Sequence, residues 1–352
     1  MTLEIKSVQH LQDMTKFIKI PSILSVYKAI GMIPDPDSIH NYNPALNPVH
    51  KHLKTNYFVA EKNHLPVGRI AAIKDQSNPD PNTGLFGCFE CEQDIEIASA
   101  LINAARQWLL DNGCMKMIGP ATFNTNQQVG LLIEGHESGP QIMLPYNPPC
   151  YQQLLEQSGL TKHTDLLTFS WKKEMGIPTQ IARISKRVRR LDKVAIKKLT
   201  LINLHQDALL IQEMFNRIMS DNWGFIPLTL EESMGMVTFC RMHADRDLLL
   251  SAWIDGKPVG ILLFLPTSLT KRNSSKTVRA AILGVVPEYR NRGVDSYVIE
   301  HSLQIMMAKG YEQADISLIH EENKIMIKIV SQVFGAAQTR RYRVYIDEGL
   351  RP

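Results

Sequence analysis

The chain has 352 residues, 39 basic and 35 acidic, for a formal charge of +4. It is too long for one ordinary core, and the near balance of charge leaves no nucleic-acid footprint while suiting an anionic cofactor. The opening Met1-Thr2-Leu3-Glu4-Ile5-Lys6 has no apolar core after a basic start, the apolar runs are strand length, and the five cysteines are an odd number. A cytoplasmic protein with reduced thiols is therefore expected, without secretory signal, membrane contact or metal site.

In chain order, residues 14–19 and 23–30 read as helices with Pro21 breaking between them, and 34–48 as an irregular polar loop. Residues 57–73 form two strands around a short polar turn, and 85–91 a third strand. Cys88 and Cys91 have Cys-x-x-Cys spacing, but positions three apart in a strand face opposite sides and no second pair accompanies them, so they read as structural. Ala98, Leu101, Ala105 and Trp108 mark an amphipathic helix over 95–110, capped by Asp94 and stopped by Asn112-Gly113. A strand at 114–118, a polar insertion at 119–151, a short helix ending at Gly159 and a strand at 166–171 follow.

Arg183, Lys186, Arg187, Arg189, Arg190 and Lys193 interleave with Ile184, Val188 and Leu191, the pattern of a partly packed linker helix with a solvated basic face. Helices at 208–219 and 233–240 flank a polar stretch. Next comes a hairpin over 250–265, with Asp255-Gly256 as its turn. An apolar run then ends at Pro287, a cationic turn contains Gly293, and from Val294 the apolar residues fall at helical spacing until Lys309-Gly310. Strands at 314–319 and 341–346 close the chain, the second again following a helix that ends in glycine, at Gly335.

The same order of hairpin, strand, helix, strand, short helix and final strand thus occurs twice. We expect two copies of one mixed α/β unit, each a mostly antiparallel sheet flanked by helices: 1–172, a basic linker helix at 173–193, and 194–352. The first copy carries the extra residues 119–151 before its final strand.

The turn before Val294 has a physical use. Free amides at a helix start, a glycine that lets the backbone approach closely, and Arg290 and Arg292 nearby suit a phosphate-bearing ligand. Val286-Pro287-Glu288-Tyr289-Arg290-Asn291-Arg292-Gly293-Val294-Asp295 resembles the acyl-CoA loop of the GCN5-related N-acetyltransferase (GNAT) superfamily, written Arg/Gln-x-x-Gly-x-Gly/Ala after a strand ending in Val-x-Pro. Arg290 and Gly293 match, whereas Asp295 stands where the family has Gly or Ala.

The resemblance implies two tandem GNAT-like units and transfer of an acyl group from acetyl-CoA or another acyl-CoA to a small-molecule amine. It places the cofactor on Leu283, Val285, Val286, Arg290, Asn291, Arg292, Gly293, Val294, Asp295 and Ser296, with Asn323 near the pantetheine arm. Seven residues after that asparagine many family members have a tyrosine acid; here Val330 stands, leaving Tyr345 or Tyr342 as substitutes. His320, Glu288 and His243 are candidate bases. Acceptor candidates are Trp223, Phe225 and Glu231, because family substrates bind near the first two helices, although core packing and a Thr229–Glu232 capping box explain much of that stretch.

The first copy has Glu92, Asp94 and Glu96 in place of the arginine turn, which repels a diphosphate. Its insertion offers Asn124, Asn126, Tyr146 and Asn147 either for a polar small molecule or as a well-turned surface loop. Two alternatives stay open beside acyl-CoA-dependent transfer: a catalytically idle binding module, and a transferase whose donor is an acyl carrier protein drawn by Arg187 to Arg190.

Overall fold

The computed structural model describes residues 2–32, 38–191, 194–269 and 276–350; Lys193 and part of the loop expected at 34–48 lie outside the described residues. The chain separates into two compact units, Met1–Asp165 with Arg341–Pro352, and Leu166–Arg340.

Along the chain come β1 (Leu3–Ser7), α1 (Leu11–Ile23), α2 (Ser25–Ala29), β2 (Leu53–Lys62), β3 (Leu65–Asp75), β4 (Thr83–Cys91), α3 (Ile95–Asp111), β5 (Lys116–Gly119), the short pair β6 (Ala121–Thr122) and β7 (Gln128–Val129), β8 (Leu131–Glu134), α4 (Cys150–Gln157) and β9 (Thr161–Lys172). They continue with α5 (Thr179–Leu191), β10 (Ala195–Lys198), α6 (Leu204–Met219), α7 (Leu230–His243), β11 (Leu249–Ile254), β12 (Lys257–Pro266), β13 (Thr277–Val285), α8 (Val294–Ala308), β14 (Gln313–His320), α9 (Lys324–Lys328) and β15 (Ala337–Asp347).

Each unit is built on one sheet. In the first the strand order is β1-β2-β3-β4-β5-β15, and in the second β10-β11-β12-β13-β14-β9. All neighbours are antiparallel except one parallel pair per unit, β4 with β5 and β13 with β14. The mixed, mostly antiparallel architecture is therefore the one expected, and it occurs twice.

The final strands are exchanged. Leu166 to Trp171, read as the end of the first copy, pairs with β14 of the second unit, while Tyr345 to Asp347 pairs with β5 of the first. Hydrophobic alternation makes either strand a fit for either sheet, so periodicity does not choose between them. The sequential split at 172 and 194 is corrected accordingly, and so is the linker. Helix α5 belongs to the second unit, where Ile181 and Val188 are buried and Ile184 meets the start of α8.

Pro21 also behaves differently from the expectation. It lies within the last turn of α1, which runs on to Ile23. Proline cannot donate to the carbonyl four residues back; the orphaned Phe17 carbonyl instead accepts from the buried Arg69 guanidinium at 3.1 Å, and the helix survives. Elsewhere the local signals set the elements: the Asp94 carboxylate caps α3, and Thr229 and Glu232 cap α7 reciprocally.

Both parallel pairs part company. β4 and β5 are in register from Thr83↔Lys116 to Leu85↔Ile118, and β13 and β14 from Thr277↔Gln313 to Ala280↔Ile316; no pairing between them follows. In the second unit this leaves the two strand edges unpaired with each other ahead of α8, whereas in the first Gly87 stays against the Ala121 carbonyl and Gly119 against the Phe86 carbonyl.

Candidate functional site

In the second unit the cleft leads to the loop from Val286 to Gly293. After a single helical turn at Pro287–Tyr289 the backbone enters the left-handed region at Asn291 (φ 62°) and again at Gly293 (φ 81°), and α8 begins. Gly293 brings no side-chain cap. Among the described residues no acceptor meets the amides of Arg292, Gly293, Val294 and Asp295. Consecutive free amides at the positive end of a helix dipole form an anion-binding concavity.

The arginines divide the work. Arg292 lies over the Tyr289 ring at 4.9 Å and forms no ion pair among the described residues, so its guanidinium is available to an anion. Arg290 is spent on architecture: it donates to the carbonyls of Val285 (3.3 Å) and Ile218 (3.1 Å) and pairs with Asp221. Its role, tying the loop to the end of α6, depends on residues about 70 positions away and had no signal in the sequence. Asp295 is exposed, and its Oδ1 accepts the Ser296 amide at 2.8 Å, so Ser296 is withdrawn from the anion-binding set.

The other side chains expected here separate into two groups. Leu283 is half-buried and Val285 and Val286 are buried along the β13 edge of the cleft. His320 ends β14 on the opposite edge and stacks on Trp223 at 5.6 Å. Burial lowers the His320 pKa, keeping the ring neutral at pH 7, and Nδ1 accepts the Glu322 amide at 3.2 Å. The ring proton then sits on Nε2, which makes that nitrogen a donor, not the acceptor a candidate base needs.

Glu288 is exposed, pairs with Arg217, and its pKa is lowered by a backbone hydrogen bond and by Arg217, all of which make it a weak base. Phe225 packs on Phe215 of α6, His243 on Phe239 of α7, and Glu231 is exposed in the first turn of α7. Asn323 caps α9 through the Met326 amide, and Val330 is buried within a turn of π-helix. Tyr345 belongs to the first unit, fully buried, its hydroxyl donating to Glu156 at 3.1 Å; burial raises its pKa. The structure does not bring it into the unit that carries the loop, and the same holds for Tyr342.

In the first unit the corresponding groups are taken up by the chain itself. The Tyr151 hydroxyl accepts the Cys91 amide (3.0 Å) and donates to Glu90 (2.8 Å), occupying a main-chain donor on the β4 edge. Asp94 takes the Glu96 amide and Lys62, and Glu92 takes the Ser25 amide, so the acidic turn is satisfied internally. The insertion's polar groups are likewise engaged. Asn147 bonds both the amide and the carbonyl of Leu132, as a strand neighbour would. Buried Asn124 accepts the Asn126 amide and donates to Asp75, and the Tyr146 hydroxyl donates to the His136 carbonyl. These bonds hold the loop together, which is the bland alternative left open from sequence.

Residues 210–335 match the model of the acetyltransferase (GNAT) family. With the doubled sheet and the loop just described, the fold is that of two GNAT-like units in tandem, the second of which carries the match to the family model. It is similar to a bacterial ceramide synthase of Caulobacter vibrioides, 27% identical over 97% of both chains, and to protein YghO of Escherichia coli K12, 27% identical over 97% of this chain and 94% of that one. Among solved structures, a tandem GNAT protein from the clavulanic acid biosynthesis pathway superposes with a TM-score of 0.59 over 100% of this chain and 99% of that one, at 14% identity. That likeness is one of fold.

Proposed function

We propose that the second unit binds an acyl-CoA and transfers its acyl group to the amine of a long-chain amino alcohol. The observation that carries this reading is the run of acceptor-free amides from Arg292 to Asp295 beside the stacked Arg292 guanidinium. The acceptor class follows the ceramide synthase, a relative aligned over nearly its whole length, since ceramide is the N-acyl derivative of such an amine.

The residues present fit the cofactor. Arg292 and the four amides would hold its diphosphate, and the β13 edge at Leu283 and Val285 would offer main-chain groups to the thioester carbonyl. The cofactor supplies the activated acyl group. The amine nitrogen attacks that carbonyl, the carbon–sulfur bond breaks, and the proton lost by the amine ends on the thiolate. His320, neutral and protonated on Nε2, would donate a hydrogen bond to charge growing on the carbonyl oxygen, with Trp223 holding the ring plane.

Two measurements test this. A thermal-shift titration with CoA esters from acetyl to palmitoyl should raise the melting temperature of the wild type. Arg292→Glu should abolish the response below millimolar ligand, whereas Asp295→Ala, which frees the Ser296 amide and removes a negative charge, should tighten binding about two- to fivefold. No response from the wild type refutes the reading.

The second measurement is turnover of a sphingoid base with acyl-CoA, followed by mass spectrometry. His320→Ala should lower kcat by roughly 10²-fold, and His320→Gln, which keeps an N–H donor, by about tenfold. Equal losses in both variants would make His320 a base after all.

Two observations favour a second reading. Asp295 already occupies the Ser296 amide and Val330 replaces the usual tyrosine, as in a binding module that has lost catalysis. Binding of acyl-CoA without turnover of any amine would establish it.

A further inference from the structure

Helix α5 carries no acidic residue, and its two long faces differ completely. One is fixed to the unit: Ile181, Ser185 and Val188 are buried, Ser185 and Arg189 bond Glu300 of α8, and Arg189 lies over Tyr297. On the other, Arg183, Lys186, Arg187 and Arg190 recur one helical turn apart and line an open concavity of about 290 Å³. All four are exposed, and among the described residues none takes part in an ion pair or hydrogen bond.

Four unneutralised cations on a packed helix are a strong local field. Buried carboxylates elsewhere in the chain attract basic partners, as Glu61 does Lys6 and Lys16, so the open stripe is not an ordinary consequence of composition.

We infer that this face of α5 docks the enzyme on the anionic surface of a phospholipid bilayer. Two features choose this occupant over an acidic protein. Stable protein interfaces have cores depleted in charge and anchored by apolar or aromatic side chains. Among the described side chains of α5 the exposed ones are Thr179, Gln180, Arg183, Lys186, Arg187, Arg189 and Arg190, which provide no apolar anchor. An anionic bilayer needs none, because adsorption gains from each cation within a Debye length of the phosphates.

Ile181 and Val188 of α5 are already buried, so the helix adsorbs without inserting them. Among the described residues no helix is long and apolar enough to cross a membrane, so adsorption is how this chain would reach an amine held in lipid. In that last respect the inference rests on the proposed acceptor; the binding itself does not.

The test is flotation of the purified full chain with vesicles of phosphatidylcholine alone or with 30% phosphatidylglycerol, a lipid fraction of about that order giving a strong surface potential. The wild type should float with the anionic vesicles only and be released by about 0.5 M salt, where the Debye length has shrunk to a few ångströms. Each cation should strengthen partitioning roughly fivefold. Neutralising the stripe as R183Q/K186Q/R187Q/R190Q should weaken it by two orders of magnitude or more, with an unchanged melting temperature.

A matched control, K19Q/K28Q/K54Q/K257Q at exposed lysines, should still float. Equal binding to neutral vesicles, a stripe variant that floats like the wild type, or a control that fails as badly would each overturn the inference. So would failure to float combined with stripe-dependent retention on an immobilised acyl carrier protein, which would assign the face to that partner. The CoA titration is a separate readout, so docking and the transferase reading can fail independently.

Discussion

Gly293→Ala is expected to destabilise the second unit by roughly 2–5 kcal/mol and to remove its response to CoA. Gly293 holds φ +81°, where a Cβ costs about 1–2 kcal/mol. The added Cβ would also lie 2.5 Å from Ile184 Cγ2 and 3.0 Å from Val188 Cγ2. Both neighbours are β-branched, with rotamers fixed on the helix, so neither methyl can swing away. Helix α5 must shift or the loop must open, an overpacking cost of about 1–3 kcal/mol. Either movement spoils the aim of the amides at the start of α8. The measurement is urea unfolding together with the CoA titration. Ile184→Ala in the same chain removes the nearer methyl, so the pair should recover part of the packing loss and none of the backbone strain. An unchanged midpoint for the single variant would sink this account of why the loop needs glycine.

That contact shows where the sequence was readable and where it was not. Signals confined to a few residues were legible because their physics is local: the Asp94 cap, the Thr229–Glu232 box, the Asp255-Gly256 turn with both φ angles positive. The loop at Arg290 to Gly293 was legible as a tight turn ahead of a helix start for the same reason. Its supports were not. Ile184 and Val188 beneath Gly293, and the Ile218 carbonyl on Arg290, become neighbours only through tertiary packing. The same limit explains Asn124 and Asn147. As sequence they are polar groups free to bind a ligand, but a buried amide must first satisfy itself, and in the fold the nearest backbone does so.

The duplication also shows how one cleft can be kept and another closed. Both units end the pairing of their parallel strands after three or four residue pairs, but in the first the backbones stay in contact beyond it, at Gly87 with Ala121 and at Gly119 with Phe86. In the first unit Tyr151 reaches the Cys91 amide from α4 and fixes Glu90 beside it. In the second, the π-helical turn that follows α9 carries the buried Val330, which has no polar atom that could do the same.

The exchanged final strand gives the other large expected effect. Asp165 has a side chain 1% exposed and accepts from Arg343 at 2.9 and 3.1 Å and from Arg341 at 3.2 Å, so one carboxylate holds two arginines of β15 in the first unit. Burial alone would raise its pKa, but the two guanidinium groups outweigh burial and the net shift is downward. Asp165→Ala removes the buried anion the two arginines share and, among the described residues, leaves Arg341 only Glu134 at 3.1 Å and Arg343 only Glu156 at 3.8 Å, a loss of about 1–3 kcal/mol, and should free the C-terminal strand for cleavage by protease. The sign with pH follows from the lowered pKa: the stabilisation is complete above the unfolded carboxyl value of about 3.9 and is lost as the pH falls through the folded value below it. The gap between wild type and variant should therefore be constant from pH 5 to 7 and close in more acidic solution. A gap that widened on acidification, or a variant whose residues 341–350 stayed as resistant to protease as the wild type's, would show that this carboxylate does not hold the exchanged strand.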